Sequence, residues 1–294
     1  MEKSLITCNF YGQLGNQLFI IAAALSYSWD YHAEPIFPGL NTFRNRTSYN
    51  KEHLFFRLNA SLNPRPFLNI YKTCLETEWF SSKRIPFHRD LIIDGYFQSW
   101  IHFHHHKEKI FQIFAPSEMT VTYLKKKYEP LFKNPKIVAV HVRTQSKETH
   151  ISGHHPFWGL DYYQNAMNIF PSDSIFLIIS DRINWCKHHF PKLGKNCVFI
   201  DGNSGIEDLF LLTRFKNQIL CNSSFSWWAA YLNEHFNNQS IFPKNWKDPT
   251  LVPNPPDEYF FLPSWVRLDC PIKNPYPEDM WFYDKESQSV DNNN

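Results

Sequence analysis

Ile137-Val138-Ala139-Val140-His141-Val142 decides how this chain folds. Apart from one histidine it is apolar throughout and lacks the alternation of a strand with one wet face, so both of its faces must be covered. The residues that follow, Arg143-Thr144-Gln145-Ser146-Lys147-Glu148, are polar and end the strand. Runs of the same kind recur at 174–179, 196–200, 218–221 and 240–242, with helical patterns at 160–170, 182–190, 206–216 and 224–235 between them. Short apolar strands alternating with helices predict a parallel sheet with helices on both faces, a doubly wound α/β domain over about 135–245. Such sheets bind ligands beyond the carboxyl ends of their strands.

Upstream, residues 4–10 read as a strand, Gly12-Gln13-Leu14-Gly15-Asn16 as a turn, and 17–31 as a buried helix. A further strand is expected at 91–97 and mostly helical structure at 100–132, interrupted near Pro116; 40–90 carries no readable period. From Asp248 the chain is rich in proline and aromatic residues, which reads as a tail wrapping the surface with 290–294 disordered. The expected domains are therefore 1–133, 134–247 and the tail 248–294.

The 294 residues are 43% hydrophobic, enough for a proper core, and the net charge of +2 gives no reason to expect nucleic acid as a partner. Aromatic residues reach 17%, which serves a ring-rich core and leaves open that some rings stack on sugar faces. The six cysteines form no CxxC pair, and most lie in apolar runs, as buried thiols of a reducing compartment do. With no apolar run of membrane-spanning length, and with Asn9 interrupting the first apolar stretch, the expectation is a cytoplasmic protein without a transmembrane segment, which leaves room for peripheral association with the inner membrane face.

Three strand ends carry residues suited to chemistry. After the first strand, Gly12, Gly15, Asn16 and Gln17 allow a sharp turn and present a helix start, as an ordinary strand–helix turn also would. The spacing is not that of a dinucleotide fingerprint, which disfavours an NAD-dependent oxidoreductase. His141, Arg143 and Lys147 reach the sheet edge together; an arginine there can grip a diphosphate with two parallel bonds, although a basic solvated loop has the same residues. In Asn222-Ser223-Ser224-Phe225-Ser226-Trp227-Trp228, hydroxyl residues close a strand and open a helix, a geometry that suits a phosphate. The run His102, His104, His105, His106 has no Asp or Cys at ligand spacing and reads as a solvated helix, so no metal is expected.

These motifs resemble, in order, those of the α-1,2-fucosyltransferases, glycosyltransferase family eleven. Gly12-Gln13-Leu14-Gly15-Asn16-Gln17-Leu18-Phe19 is similar to the family's GGLGNQMF opening, Asp94-Gly95-Tyr96-Phe97-Gln98 to its GYFQ segment, and His141-Val142-Arg143 to the start of HxRRGD. Ser180-Asp181-Arg182-Ile183-Asn184-Trp185-Cys186-Lys187 resembles SDDxxWCK, the block from Asn222 to Asn233 resembles NSSFSWWxAWLN, and Pro243-Lys244-Asn245-Trp246 resembles PKxW.

The resemblance implies a GT-B architecture, with two Rossmann-like domains facing a cleft, the C-terminal one holding GDP-fucose and the N-terminal one the acceptor. It implies inverting, metal-independent transfer of fucose to a glycan hydroxyl, O-2 of a terminal galactose in this family, with GDP-fucose as donor substrate and no cofactor. Residue by residue, it assigns His141 to the nucleotide, Arg143 to the β-phosphate, Asp208 to the guanine edge and Ser223 and Ser224 to the diphosphate. Gly12, Gly15, Asn16, Gln17, Asn222 and Trp227 join the substrate-binding set. The chain departs from the family at Thr144, Gln145 and Ser146, where a second Arg, a Gly and an Asp would stand. Lys147 is the candidate replacement cation and Glu148, with Asp161, the candidate base. That departure keeps two alternatives open: a transferase for another GDP-sugar or linkage, and a catalytically weak glycan- or nucleotide-binding protein.

Overall fold

The computed structural model describes residues 2–42, 46–67, 69–72, 83–144, 147–233, 235, 237–270, 276, 277 and 279. It divides into two units, Met1–Thr122 with Pro255–Pro263, and Tyr123–Asn254 with Ser264–Asn294.

In the first unit, strands β1 (Leu5–Cys8), β2 (Glu34–Pro35), β3 (Asn69–Lys72) and β4 (Leu91–Asp94) form a parallel sheet in the order β2-β1-β4-β3. The helix Leu14–Tyr31 is apolar on nearly every side and is buried from Leu14 through Ser28, with Asn16 the one partly exposed position. It stops where His32 turns left-handed at φ 53° and its N–H closes onto the Ser28 carbonyl. The stretch that carried no readable period contains the helix Thr47–His53 and the strand β3.

The second unit holds β5 (Ile137–Val142), β6 (Ile175–Ser180), β7 (Cys197–Phe199), β8 (Asn217–Ile219), β9 (Gln239–Pro243) and β10 (Val266–Leu268). All are parallel, in the order β10-β9-β8-β5-β6-β7. The chain starts at the centre, moves outward through β6 and β7, then returns to β8 and moves outward on the other side. Its direction therefore reverses between β5 and β8, which opens a crevice at their carboxyl ends. All six residues of β5 are buried, as its unbroken apolar sequence requires. Val138, Val140, Tyr162, Tyr163, Phe176 and Trp185 pack in one core.

The segment 100–132 is mostly helical with a break at Pro116, as expected: it contains 3-10 turns at Trp100–His102 and His104–His106, then helices Lys107–Ile113 and Glu118–Phe132. The bounds of the units and the tail need correction. The division between units falls inside that last helix, before Tyr123. The tail does more than wrap the surface. Pro255–Pro263 belongs to the first unit, and Val266–Leu268 adds the edge strand β10. Three residues are too short a strand to reveal a period. Residues 290–294 lie outside the described residues. Among the described residues, no helix is long and apolar enough to cross a membrane. The five described cysteines are free, and burial pushes the thiols of Cys221 and Cys270 up to about 11 and about 12.

Candidate nucleotide and diphosphate site

β5 delivers His141 to the sheet edge almost fully buried. Its Nδ1 lies 2.6 Å from Ser226 Oγ, and the Phe225 ring packs over it at 4.9 Å. Ser226 Oγ accepts from the Cys221 N–H at 3.3 Å, so its own proton is free for His141. Cys221 Sγ lies 3.3 Å from Ser226 Oγ and 3.5 Å from His141 Nδ1, so imidazole, hydroxyl and thiol form one buried hydrogen-bonded cluster. Burial, followed by the charge of Arg143, lowers the His141 pKa to about 3. His141 is therefore neutral at ordinary pH: it can donate one hydrogen bond and does not act as a cation.

The parallel register pairs Val142 with Ser180, so Arg143 and Asp181 leave the sheet side by side. Arg143 Nη1 meets Asp181 Oδ2 at 2.8 Å, with 40% of the arginine side chain still exposed. Asp181 orients the guanidinium and leaves part of its fork open. Thr144, where the family's second Arg would stand, is fully buried, and its hydroxyl has no hydrogen-bond partner among the described residues. A residue pointing into the fold cannot serve as a second phosphate cation. Gln145 and Ser146 lie outside the described residues. Beyond them, half-buried Lys147 and exposed Glu148 open the short helix Lys147–Ile151.

Across the crevice, Ser223 is the N-cap of the helix Ser224–Tyr231 and uses no side-chain capping bond. Ser223 and Ser224 are half-buried. Their hydroxyls and the helix-start amides form a donor group suited to an anion. Asn222 is buried, and its amide donates to the carbonyls of Pro156 and Trp246 at 2.9 and 3.0 Å. It ties two neighbouring loops to the end of β8 through its amide nitrogen. Trp227 is a correction: it is fully buried, stacked on Tyr231 at 4.9 Å and edge-on to Trp265 at 5.3 Å, and belongs to the core.

Asp208 stands apart from this group, in the first turn of the helix Gly205–Thr213, where Ser204 and Glu207 form a reciprocal capping box. Its carboxylate accepts from Asn203 Nδ2 at 2.9 Å. Burial raises its pKa to about 6 despite that bond. Asn203 is itself fixed through Oδ1 by Tyr123, Lys127 and Tyr128 at 2.8 to 2.9 Å.

The remaining expected residues lie in the first unit. Gly12 turns at φ +62°, and a Cβ there would lie 2.2 Å from Asn16 Nδ2. Asn16 Oδ1 accepts from Gln98 at 2.8 Å, so the loop after β1 is tied to the loop after β4. Gln17 is fully buried, donating to the Gly12 carbonyl and accepting from Asn50. Gly15 is buried in the first helical turn. The glycine-rich turn is thus a packed joint, and Gln17 is corrected from ligand contact to scaffold. Sequence reading missed Asp94 at the end of β4, which accepts from Tyr11 and pairs with Lys72 at 3.4 Å. Burial alone would raise its carboxyl, but the bonds from Tyr11, Asn9 and Lys72 hold it below the usual range. A polar residue closing an apolar strand was the available signal, as it was for Asp181.

A doubly wound sheet with an oriented arginine and a hydroxyl-lined helix start at its reversal point is suited to the diphosphate of a nucleotide. The chain belongs to glycosyl transferase family 11, whose model matches residues 66–269. An alpha-1,2-colitosyltransferase of Escherichia coli is 25% identical over 271 residues, covering 83% of this chain and 92% of that protein. The galactoside alpha-(1,2)-fucosyltransferase 1 of Bos taurus is 27% identical over 62% of this chain, but this spans only 54% of the bovine protein. In fold, the chain is similar to the crystal structure of the fucosyltransferase NodZ from Bradyrhizobium, with a TM-score of 0.55 over 78% of this chain and 92% of NodZ at 15% identity.

Proposed function

We propose that this glycosyltransferase is an inverting fucosyltransferase, moving L-fucose from GDP-fucose to O-2 of a terminal galactose as a galactoside 2-alpha-L-fucosyltransferase. The observation that carries the proposal is that Arg143, held by Asp181, and the helix start at Ser223–Ser224 follow the carboxyl ends of the neighbouring strands β5 and β8. The names of the bovine and E. coli relatives supply the α-1,2 linkage.

In this reading the acceptor oxygen attacks the anomeric carbon opposite the diphosphate. The new C–O bond forms as the bond to the β-phosphate oxygen breaks, GDP leaves with the electron pair, and the acceptor proton passes to a base. Arg143 and the amides and hydroxyls at Ser223 and Ser224 meet the charge growing on the phosphate, each donor supplying about 3–4 kcal/mol in such sites. Neutral His141 donates one hydrogen bond to the nucleotide. Asp208 accepts from the two N–H groups of the guanine edge. Lys147 lies close enough in sequence to add a second cation, and Glu148 is the candidate base. Transfer on these residues requires neither metal nor cofactor, and we read it as a cytoplasmic activity.

The test is incubation with GDP-fucose and a panel of galactose-ended oligosaccharides, followed by product mass and linkage analysis. A product carrying fucose at O-2 supports the proposal; a different linkage, or donor hydrolysis alone, overturns it. Buried Thr144 favours one alternative, a chain that binds the nucleotide but transfers slowly, since it removes one cation from the phosphate side. The E. coli relative's name points to another, a donor sugar other than fucose. GDP binding without turnover would select the former, and turnover with a different GDP-sugar the latter.

A further inference from the structure

The histidine run is not a solvated helix without an acidic partner. Asp30, in the last turn of the helix Leu14–Tyr31, stands opposite it. Asp30 Oδ1 lies 3.1 Å from His105 Nε2 and 2.9 Å from His106 Nε2, and the three ligand atoms fall within 4.8 Å of one another. The sequence separation of 75 and 76 residues hid this partner.

The geometry points to a divalent transition-metal site of the zinc class, built from Asp30, His105 and His106. Two imidazole nitrogens and one carboxylate oxygen form a donor set that selects zinc-like cations over magnesium or calcium. At metal–ligand distances of about 2.0–2.1 Å, tetrahedral ligands stand roughly 3.3 Å apart. The measured 2.9–3.2 Å between nitrogens and oxygens therefore needs only a slight spreading to admit the ion. The cation takes the place of the Nε2 protons, which leave to solvent.

The supporting shell is present. Arg84 pairs with Asp30 Oδ2 at 3.3 Å, while Oδ1 is shared by both imidazoles and His105 Nε2 also lies 3.2 Å from Oδ2. Ser26, one turn earlier on the same helix, lies 3.3 Å from His105 Nε2, a bond to the ligating nitrogen that the cation would displace. Trp29 packs edge-on against His106 at 5.1 Å. Asp30 and His106 side chains are 12% and 18% exposed, while His105 is 46% exposed. A cavity of about 260 Å³, lined by Asp30 and His105 with Tyr27, Arg84, Ile101 and His102, gives the ion an entry path and room for a fourth ligand from solvent. Asp30 stands sixteen residues beyond Leu14, so at about 1.5 Å per residue it is roughly 24 Å along the helix from the joint at Gly12. The site is therefore separate from the Gly12 turn of the same unit, and its test does not depend on transferase activity.

The full chain is stripped with a chelator, desalted and titrated with Co²⁺, then with Zn²⁺. The expected result is one Co²⁺ per chain with the visible ligand-field bands of a four-coordinate nitrogen–oxygen site, lost on adding Zn²⁺ and untouched by Mg²⁺. His106→Gln and Asp30→Asn should weaken binding by more than about a hundredfold, because losing an outer-shell partner alone costs 10–100-fold. His104→Ala, in the same turn but outside the cluster, should leave it unchanged. Absence of saturable one-to-one binding to the unaltered chain overturns the inference whatever the variants do. So does equal weakening by His104→Ala, which would mean loose binding along the whole histidine run.

Discussion

Replacing Asp208 by Asn should stabilise the unliganded protein and weaken its grip on GDP, two effects of opposite sign from one side chain. Burial outweighs the Asn203 bond and the pull of Lys127, with Glu207 and Asp201 adding repulsion, and pushes the Asp208 carboxyl from 3.8 to about 6. The folded chain then holds this proton more tightly than the unfolded chain. The group therefore adds stability as pH falls from about 6 toward 4 and opposes folding at pH 7, by roughly 3 kcal/mol at most for a shift of about two units. The side chain is only half-buried, so solvent screening reduces this to roughly 1–2 kcal/mol. Asparagine carries no charge and should recover that amount at neutral pH. Nucleotide binding moves the other way. A carboxylate accepts both guanine N–H donors, whereas the amide accepts one and sets its own NH₂ against the other, a loss of roughly 2–4 kcal/mol or about 30- to 1,000-fold in Kd. In the parent protein GDP affinity should fall about fivefold between about pH 6 and about pH 5 as the carboxylate takes up its proton. Calorimetric titration with GDP across this range, beside urea unfolding of both proteins without ligand, measures both effects. A variant that binds GDP as tightly as the parent and keeps its pH slope would refute the assignment of Asp208 to the guanine edge.

Arg143→Ala should lower turnover roughly a hundredfold or more, because it removes the arginine at the β5/β8 crevice; initial rates with GDP-fucose measure it, and rates within a few-fold of the parent would exclude the role. Ser226→Ala leaves both the Cys221 N–H and His141 Nδ1 without their partner and should cost roughly 1–3 kcal/mol in urea unfolding. Because the His141 pKa is lowered to about 3, the unfolded chain binds this proton first as pH falls, so stability should drop by roughly 1.4 kcal/mol per unit below about 6.5. His141→Gln should flatten that slope, as read from unfolding midpoints across the acid range. Gly12→Ala forces a Cβ into a left-handed turn and against Asn16, which should cost roughly 1–3 kcal/mol and release Gln98 from its bond; an unchanged midpoint would exclude the packed-joint reading.

The second sheet was legible because its central strands are buried on both faces, which writes a nearly continuous apolar run into the sequence at β5 and β6. β2, β3 and β10 escaped for the opposite reason. They are two to four residues long, at sheet edges, and none of their residues is fully buried. The strand-end rule located His141, Arg143 and the serines, since polar residues ending an apolar run need no knowledge of contacts. It could not say which way a side chain points. Trp227 follows the serines in sequence, but it lies four residues before Tyr231, and the ring stack between them fixes it on the inner face. Asp181 needed the register: only the pairing of Val142 with Ser180 sets it beside Arg143.

The departure at Thr144 gains a physical sense from the neighbouring charges. An arginine at that buried position would carry an uncompensated charge into the fold, a cost of several kcal/mol unless a partner were supplied. Among the described residues nearby, the carboxylate at the sheet edge is Asp181, and Arg143 already uses it. With the polar residue at 144 turned inward, the phosphate side relies on one oriented guanidinium, the neutral donor His141 and the helix start at Ser224. The histidine of this site stays neutral between about pH 5 and 8, because its pKa is lowered to about 3. The acid limb of donor binding is left to Asp208, whose pKa of about 6 falls inside that range. An acid limb that persists unchanged in Asp208→Asn would therefore place the titrating group elsewhere and undo this division of charge.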